Sequence, residues 1–168
     1  MRQKQNLLIA TTICASLLGS FASLAAPKSL GRERAWEAVQ DSERDICYMI
    51  SFPIRSEGNY TRRDPVYITV SIRPSDNVVG EISYNTGYTY NTQPATFSVG
   101  NDNFSLTTKE SWAWTNNSEE DAKLLSAMIK GNSLIVKGQS QRGTLTTDTF
   151  SLSGVTASWN KVKAACGQ

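Results

Sequence analysis

The sequence predicts a mainly β protein, a β-sandwich of about seven short strands with two helices covering its ends or one face. Three observations carry that expectation. Val66, Ile68, Val70 and Ile72 alternate with Tyr67, Thr69, Ser71 and Arg73, the period of a strand with one buried face. Short apolar runs are separated by clusters of Pro, Gly, Asn and Asp, the residues that make hairpin turns. Only the segments around 118–130 and 155–166 carry a helical apolar period, so strands and helices do not alternate as an α/β fold requires. An open barrel is the second architecture compatible with this pattern.

The first 25 residues differ from the rest. Arg2 and Lys4 precede an apolar run from Leu7 to Leu18, and the small residues Ser23 and Ala25 stand before Ala26. This is the pattern of a secretory signal peptide cleaved after Ala25. Cys14 follows Ile13 rather than a small residue, which makes a poor lipidation site. Residues 26–168 are then expected to form a single domain, periplasmic or secreted, because no later stretch reaches the ~20 apolar residues of a membrane span. Removing residues 1–25 takes away two cations and no acid, so the formal charge falls from +2 to 0. A strongly basic nucleic-acid footprint is therefore not expected. The chain contains no His, which removes the commonest general base and the commonest zinc ligand, and no cofactor is expected. Cys47 and Cys166 remain after cleavage, and in an oxidising compartment they read as one disulfide between an early strand and the last helix.

Taken in order, residues 34–39 are open between a strand and a helical turn, after a polar lead containing Pro27 and Gly31. In Asp45–Ser51, Ile46, Tyr48 and Ile50 face one way and Cys47 and Met49 the other, so this strand is expected to be covered on both faces. Residues 55–64 read as a polar loop ending in Asp64-Pro65. The strand from Val66 to Arg73 turns at 74–77 and runs back as 78–84. A tyrosine-rich loop or edge strand spans 84–94. The hairpin strands 95–99 and 104–108 follow, joined by the turn residues 100–103. Trp112-Ala-Trp114 leads to a helix that Ser118 and Asp121 are expected to cap, with Leu124, Leu125, Met128 and Ile129 on its apolar face and Lys130-Gly131 at its end. Strands 134–138 and 146–152 precede the last helix, where Val155, Trp159, Val162 and Cys166 form one stripe.

The run from Ser140 to Gly154 carries the most specific pattern. Gly143 reads as a turn entering a strand, and Asp148, Phe150 and Leu152 share one face of it, an acid in line with two core residues. Together with Cys47-Tyr48, Arg63-Asp64-Pro65, Gly87-Tyr88, Leu106-Thr, Ala113-Trp114, Asp121, Met128, Gly131 and the terminal Cys166, the run Gly143-Thr-x-Thr-x-Asp-x-Phe-Ser-Leu-x-Gly154 resembles the invasion-associated locus B family of secreted bacterial proteins. The resemblance covers roughly residues 45–166 and makes Gly143, Asp148, Phe150 and Gly154 its structural signature. It implies an immunoglobulin-like β-sandwich at the periplasm or outer membrane and a connection to virulence, since the namesake is linked to entry of a pathogen into host red cells; no enzymatic activity or cofactor is implied by that link. The namesake branch carries further cysteines; here Gln40 and Trp112-Ala-Trp114 stand in those regions, so the chain resembles a two-cysteine branch.

Candidate sites follow from side-chain chemistry. Arg62 and Arg63 form an adjacent guanidinium pair suited to carboxylate or phosphate, against the plainer reading of a surface pair beside a turn-bonded Asp64. Tyr60, Tyr67, Tyr84, Tyr88 and Tyr90 interleave with Asn, Thr and Gln, the composition of a recognition or sugar-stacking surface, although Tyr is also an ordinary strand residue. The expected binding surface is therefore Arg62, Arg63, Tyr84, Tyr88 and Tyr90. Asp148 beside Arg142 invites a catalytic reading, but no second acid, His or nucleophile motif accompanies it, and a turn or strand-start acid accepting backbone N–H bonds is the simpler expectation. The function expected from these features is that of a non-enzymatic secreted cell-envelope protein. It would support host-cell association or invasion through contact with an unidentified protein or glycan. A periplasmic hydrolase using Asp148 and a periplasmic inhibitor or chaperone-like module are the competing classes.

Overall fold

The computed structural model describes residues 26–167; the expected signal peptide at 1–25 lies outside the described residues. Eleven strands and two α-helices account for the regular structure there. In chain order they are β1 (Lys28–Glu33), β2 (Trp36–Asp41), β3 (Ile46–Ser51), β4 (Arg55–Gly58), β5 (Tyr67–Arg73), β6 (Val78–Asn85), β7 (Ala95–Val99), β8 (Asp102–Lys109), β9 (Trp112–Trp114), α1 (Ser118–Lys130), β10 (Ser133–Gln139), β11 (Leu145–Ser151) and α2 (Val155–Ala165).

The mainly β class and the two helices are as expected, but the strands hydrogen-bond as one large open antiparallel sheet of eleven, not about seven. Its order is β1-β2-β3-β5-β6-β9-β8-β7-β10-β11-β4. β8 makes the corner: Asp102–Leu106 pair with β7, and Thr107–Lys109 pair with β9. The sheet curls there, so that Tyr84 of β6 meets Phe97 of β7 and Phe150 of β11 edge to face, at centroid distances of 5.8 and 6.1 Å. The buried apolar side chains of both halves form one cluster.

Most elements follow from local rules. In β5, Ile68, Val70 and Ile72 are fully buried, as the alternation requires, and the strand returns through a 3₁₀ turn at Pro74–Asp76 with Asn77 in the left-handed region. The β7–β8 hairpin closes over Gly100-Asn101. Of the ambiguous segment 34–39, Arg34 and Ala35 form the turn after β1 and the rest belongs to β2, whose Trp36 is buried with the indole N–H donating to the Ser151 carbonyl at 2.9 Å. In β3 only the Cys47 and Met49 face is fully buried. Ile46, Tyr48 and Ile50 are half-buried, so the expectation of cover on both faces is corrected.

Helix α1 starts differently from the expectation. Asn117, not Ser118, is the N-cap, accepting from the Glu120 N–H at 2.9 Å. Asp121 turns inward instead and accepts from the Ile82 N–H at 2.9 Å. The physical reason lies in the sheet: β9 covers only Ser83–Asn85 of β6, so Ile82 lies past the end of that ladder and the helix supplies the missing acceptor. Burial raises the Asp121 pKa, and the Ile82 hydrogen bond opposes that rise. Leu124, Leu125 and Met128 face the core, whereas Ile129, expected on the same face, is 40% exposed.

Helix α2 packs on β1, β2 and β3, burying Val155, Trp159 and Val162. Its entry requires glycine: a Cβ on Gly154, at φ +100°, would lie 1.9 Å from the Glu33 carbonyl oxygen. Its exit is fixed by the expected disulfide, Cys47 to Cys166, with Cα atoms 6.0 Å apart and a sequence separation of 119. A loop of that length is worth about 4–5 kcal/mol by the chain-entropy argument. Urea unfolding of the Cys47→Ala/Cys166→Ala variant is therefore expected to show a loss approaching about 4–5 kcal/mol; an unchanged midpoint would refute a structural role for the bridge.

Candidate functional site

Asp148 lies in the middle of β11, between Thr146 and Phe150 on the inward face, and is completely buried. A carboxylate there is unfavourable unless cations and donors surround it. Four bonds meet it: Arg63 Nη1 to Oδ1 at 2.9 Å, Arg63 Nη2 to Oδ2 at 2.7 Å, the Tyr84 hydroxyl to Oδ2 at 2.5 Å and the Ser56 hydroxyl to Oδ1 at 2.6 Å. The Arg63–Asp148 pair is bidentate, the geometry in which guanidinium and carboxylate match best. Side-chain exposures are 5% for Arg63 and 0% for Asp148, so this is a buried ion pair.

Arg63 is saturated as well. Nε donates to the Thr86 carbonyl at 2.6 Å, and Nη2 donates to the Thr86 and Tyr84 hydroxyls at 2.9 and 3.1 Å. Its guanidinium carbon lies 5.6 Å from the Tyr60 ring centre and 5.0 Å from that of Tyr88. Burial opposes the Arg63 charge, but the hydrogen bonds and charge of Asp148, with the neighbouring Tyr84, outweigh it and hold the guanidinium above its ordinary pKa. Burial, reinforced by the Asp148 charge, pushes the Tyr84 phenol well above its usual value, so it stays a neutral donor.

The chain reaches this arrangement through a close crossing. Asp64 donates its N–H to the Gly87 carbonyl at 3.1 Å, and a Cβ on Gly87 would lie 2.2 Å from the Asp64 carbonyl oxygen, so only glycine lets the two segments pass. Arg63, Asp64, Gly87, Tyr88 and Asp148 thus meet in one place.

These positions correct the expected binding surface. Arg63, Tyr84 and Tyr90 are interior; Tyr84 is 1% and Tyr90 6% exposed. The partner of Asp148 is Arg63 rather than Arg142, and Asp148 is a mid-strand acid bonded to side chains, not a strand-start acid bonded to backbone. Arg62 and Tyr88 keep exposed surface. Gly143 occupies the turn into β11, Phe150 is core, and Gly154 starts α2, as their structural reading requires.

Above the buried pair lies a groove of about 450 Å³. One wall is the segment 59–63, the other is the β10–β11 loop at 140–144, and Tyr88 and Thr89 lie between them. Backbone bonds tie these segments together, Gln141 N–H to the Thr89 carbonyl at 2.8 Å and Asn91 N–H to the Gln139 carbonyl at 3.1 Å. The Tyr88 hydroxyl meets that of Thr146 at 2.7 Å. Arg62 and Arg142 both line the groove, no Asp or Glu does, and neither guanidinium has an ion pair or side-chain hydrogen bond among the described residues. Asn59 and Gln141 add amides that the sequence did not single out. No group of three or more His, Cys, Asp or Glu able to hold a metal ion occurs among the described residues.

No protein-family model, curated protein or solved structure gives a significant match to this chain.

Two stability measurements test the buried network. Asp148→Asn leaves the Arg63 charge uncompensated and is expected to cost about 3–5 kcal/mol in urea unfolding, while Arg63→Met/Asp148→Leu recovers much of that loss. A double-variant loss equal to the sum of the Arg63→Met and Asp148→Leu single losses would show that the pair is not coupled. The Tyr90 hydroxyl is the one buried side-chain polar atom without a hydrogen-bond partner among the described residues. Tyr90→Phe is therefore expected to leave stability unchanged or raise it by about 1 kcal/mol; a loss would place a bonded water or partner on that oxygen.

Proposed function

We propose that this chain is a non-enzymatic secreted cell-envelope protein, a two-cysteine member of the invasion-associated locus B family, acting by contact with a protein or glycan at the envelope or host surface. The observation that carries the proposal is the groove: two arginines without an ion pair or side-chain hydrogen bond among the described residues, tyrosine rings and amides, and no acid among the residues that line it. Such a surface recognises and does not transform, because it offers no carboxylate pair, His or activated nucleophile. The curled sheet, in which β6 faces β7 and β11 across the core, supports reading the fold as a variant of the immunoglobulin-like sandwich.

The disulfide fits an extracellular or periplasmic protein, and no helix among the described residues is long and apolar enough to cross a membrane. The leader pattern at 1–25 supports export with cleavage after Ala25. The hydrolase reading is less favoured, since Asp148 has no exposed surface and all of its bonds go to Arg63, Tyr84 and Ser56. Host association draws its support from the family resemblance.

Labelled mature protein is expected to bind intact envelope or host-cell surfaces saturably. Arg62→Glu/Arg142→Glu should weaken that binding about 10-fold or more while the unfolding midpoint stays put. Absence of saturable binding, or turnover by the wild-type domain in a broad hydrolase screen, would overturn the proposal.

A further inference from the structure

We propose that the groove above the Arg63–Asp148 pair is a binding site for an acidic saccharide, its carboxylate held by Arg62 and Arg142 and its sugar ring laid against Tyr60 or Tyr88. The inference rests on reading the groove as a contact site and goes further by naming the ligand's chemistry. Charge comes first. Arg63 also lines the groove, but its charge is neutralised by Asp148, so the charge left for a ligand is that of Arg62 and Arg142, both exposed and without an ion pair among the described residues. Planar guanidiniums match a carboxylate through paired N–H donors.

The rest of the lining separates a sugar from an acidic peptide. No Ala, Val, Leu, Ile or Met lines the groove, so a peptide would find no pocket for an apolar anchor side chain. What lines it instead is two phenol rings, the amides of Asn59 and Gln141, and the hydroxyls of Ser140 and several threonines. Aromatic faces with amides and hydroxyls around them suit a ring that is apolar on its faces and hydroxylated at its rim. Tyr60 is 37% exposed, so its ring is reachable. The volume of about 450 Å³ lies within the range of small-ligand sites.

The groove is also preorganised. Tyr88 is held by its hydroxyl bond to Thr146 and by the guanidinium of Arg63 against its ring. The two walls are tied to the segment between them by backbone bonds at Asp64–Gly87 and Gln141–Thr89. A ligand therefore has little loop to order on binding.

Titration calorimetry of the mature protein with a glucuronate-containing disaccharide, its methyl ester and inorganic phosphate tests the inference. The expected result is saturable binding of the disaccharide, about 10-fold or more weaker for the ester and for Arg62→Gln/Arg142→Gln, and weaker for Tyr60→Ala. Equal affinity for the ester would overturn the role of the charge. Phosphate binding as tightly as the disaccharide would overturn the role of the ring. No binding of the disaccharide, while surface binding still depends on Arg62 and Arg142, would overturn the saccharide assignment and leave the contact function standing. Both arginines are exposed, and an unchanged unfolding midpoint certifies the variants. Where a variant does unfold, the comparison of acid and ester on the wild-type protein decides alone.

Discussion

The buried Arg63–Asp148 pair is the constraint on which the open sheet depends. A sheet whose order runs from β1 to β4 does not close on itself through strand pairing, so something other than a ladder must fix how its halves face each other. Aromatic packing supplies bulk, but rings slide. The bidentate pair, with Tyr84 from β6 and Ser56 from β4 bonded to the same carboxylate, sets a geometry that apolar contacts alone leave loose. Such a network stabilises little in net terms compared with a well-packed apolar equivalent, and its value lies in specifying one arrangement.

The same pair makes the groove above it usable. Because Arg63 is consumed internally, the loop that carries it is anchored, and its neighbour Arg62 is presented from a fixed backbone. Adjacent residues thus differ in role: Arg63 builds the floor, and Arg62 lines the groove with its side chain exposed. The opposite wall, at 140–144, belongs to the turn that feeds Asp148 into β11, so the groove and the ion pair are two faces of one construction.

Much of the fold is legible in the residues. The period of two across 66–73, the turn chemistry at 74–77 and 100–101, the stripe on α2 and the two cysteines of residues 26–168 each determine their element locally. What the sequence hides is pairing. β4, Arg-Ser-Glu-Gly, has no alternation because its place in the sheet comes from backbone bonds to β11. β1 is polar for the same reason, an edge strand with little to bury. Arg63 reads as a surface cation because nothing within a few residues announces an acid 85 positions away, and Tyr84 and Tyr90 look like surface tyrosines because their burial depends on how the sheet curls. Asp121 is similar: its capping role is plausible from spacing, while its actual role depends on where β9 stops.

An open sheet has two free edges, and each is a template on which a second chain can pair. β4 is four residues long, exposed at every residue, and bears Arg55 and Glu57 joined at 2.8 Å. β1 carries a register shift between Ser29 and Gly31 and holds the charged residues of its C-terminal end in ion pairs, Arg32 with Glu37 and Glu33 with Lys161. Short length, a bulge and charge are devices that stop a sheet from growing. The features that made these strands hard to recognise therefore keep the molecule from propagating edge to edge into fibres.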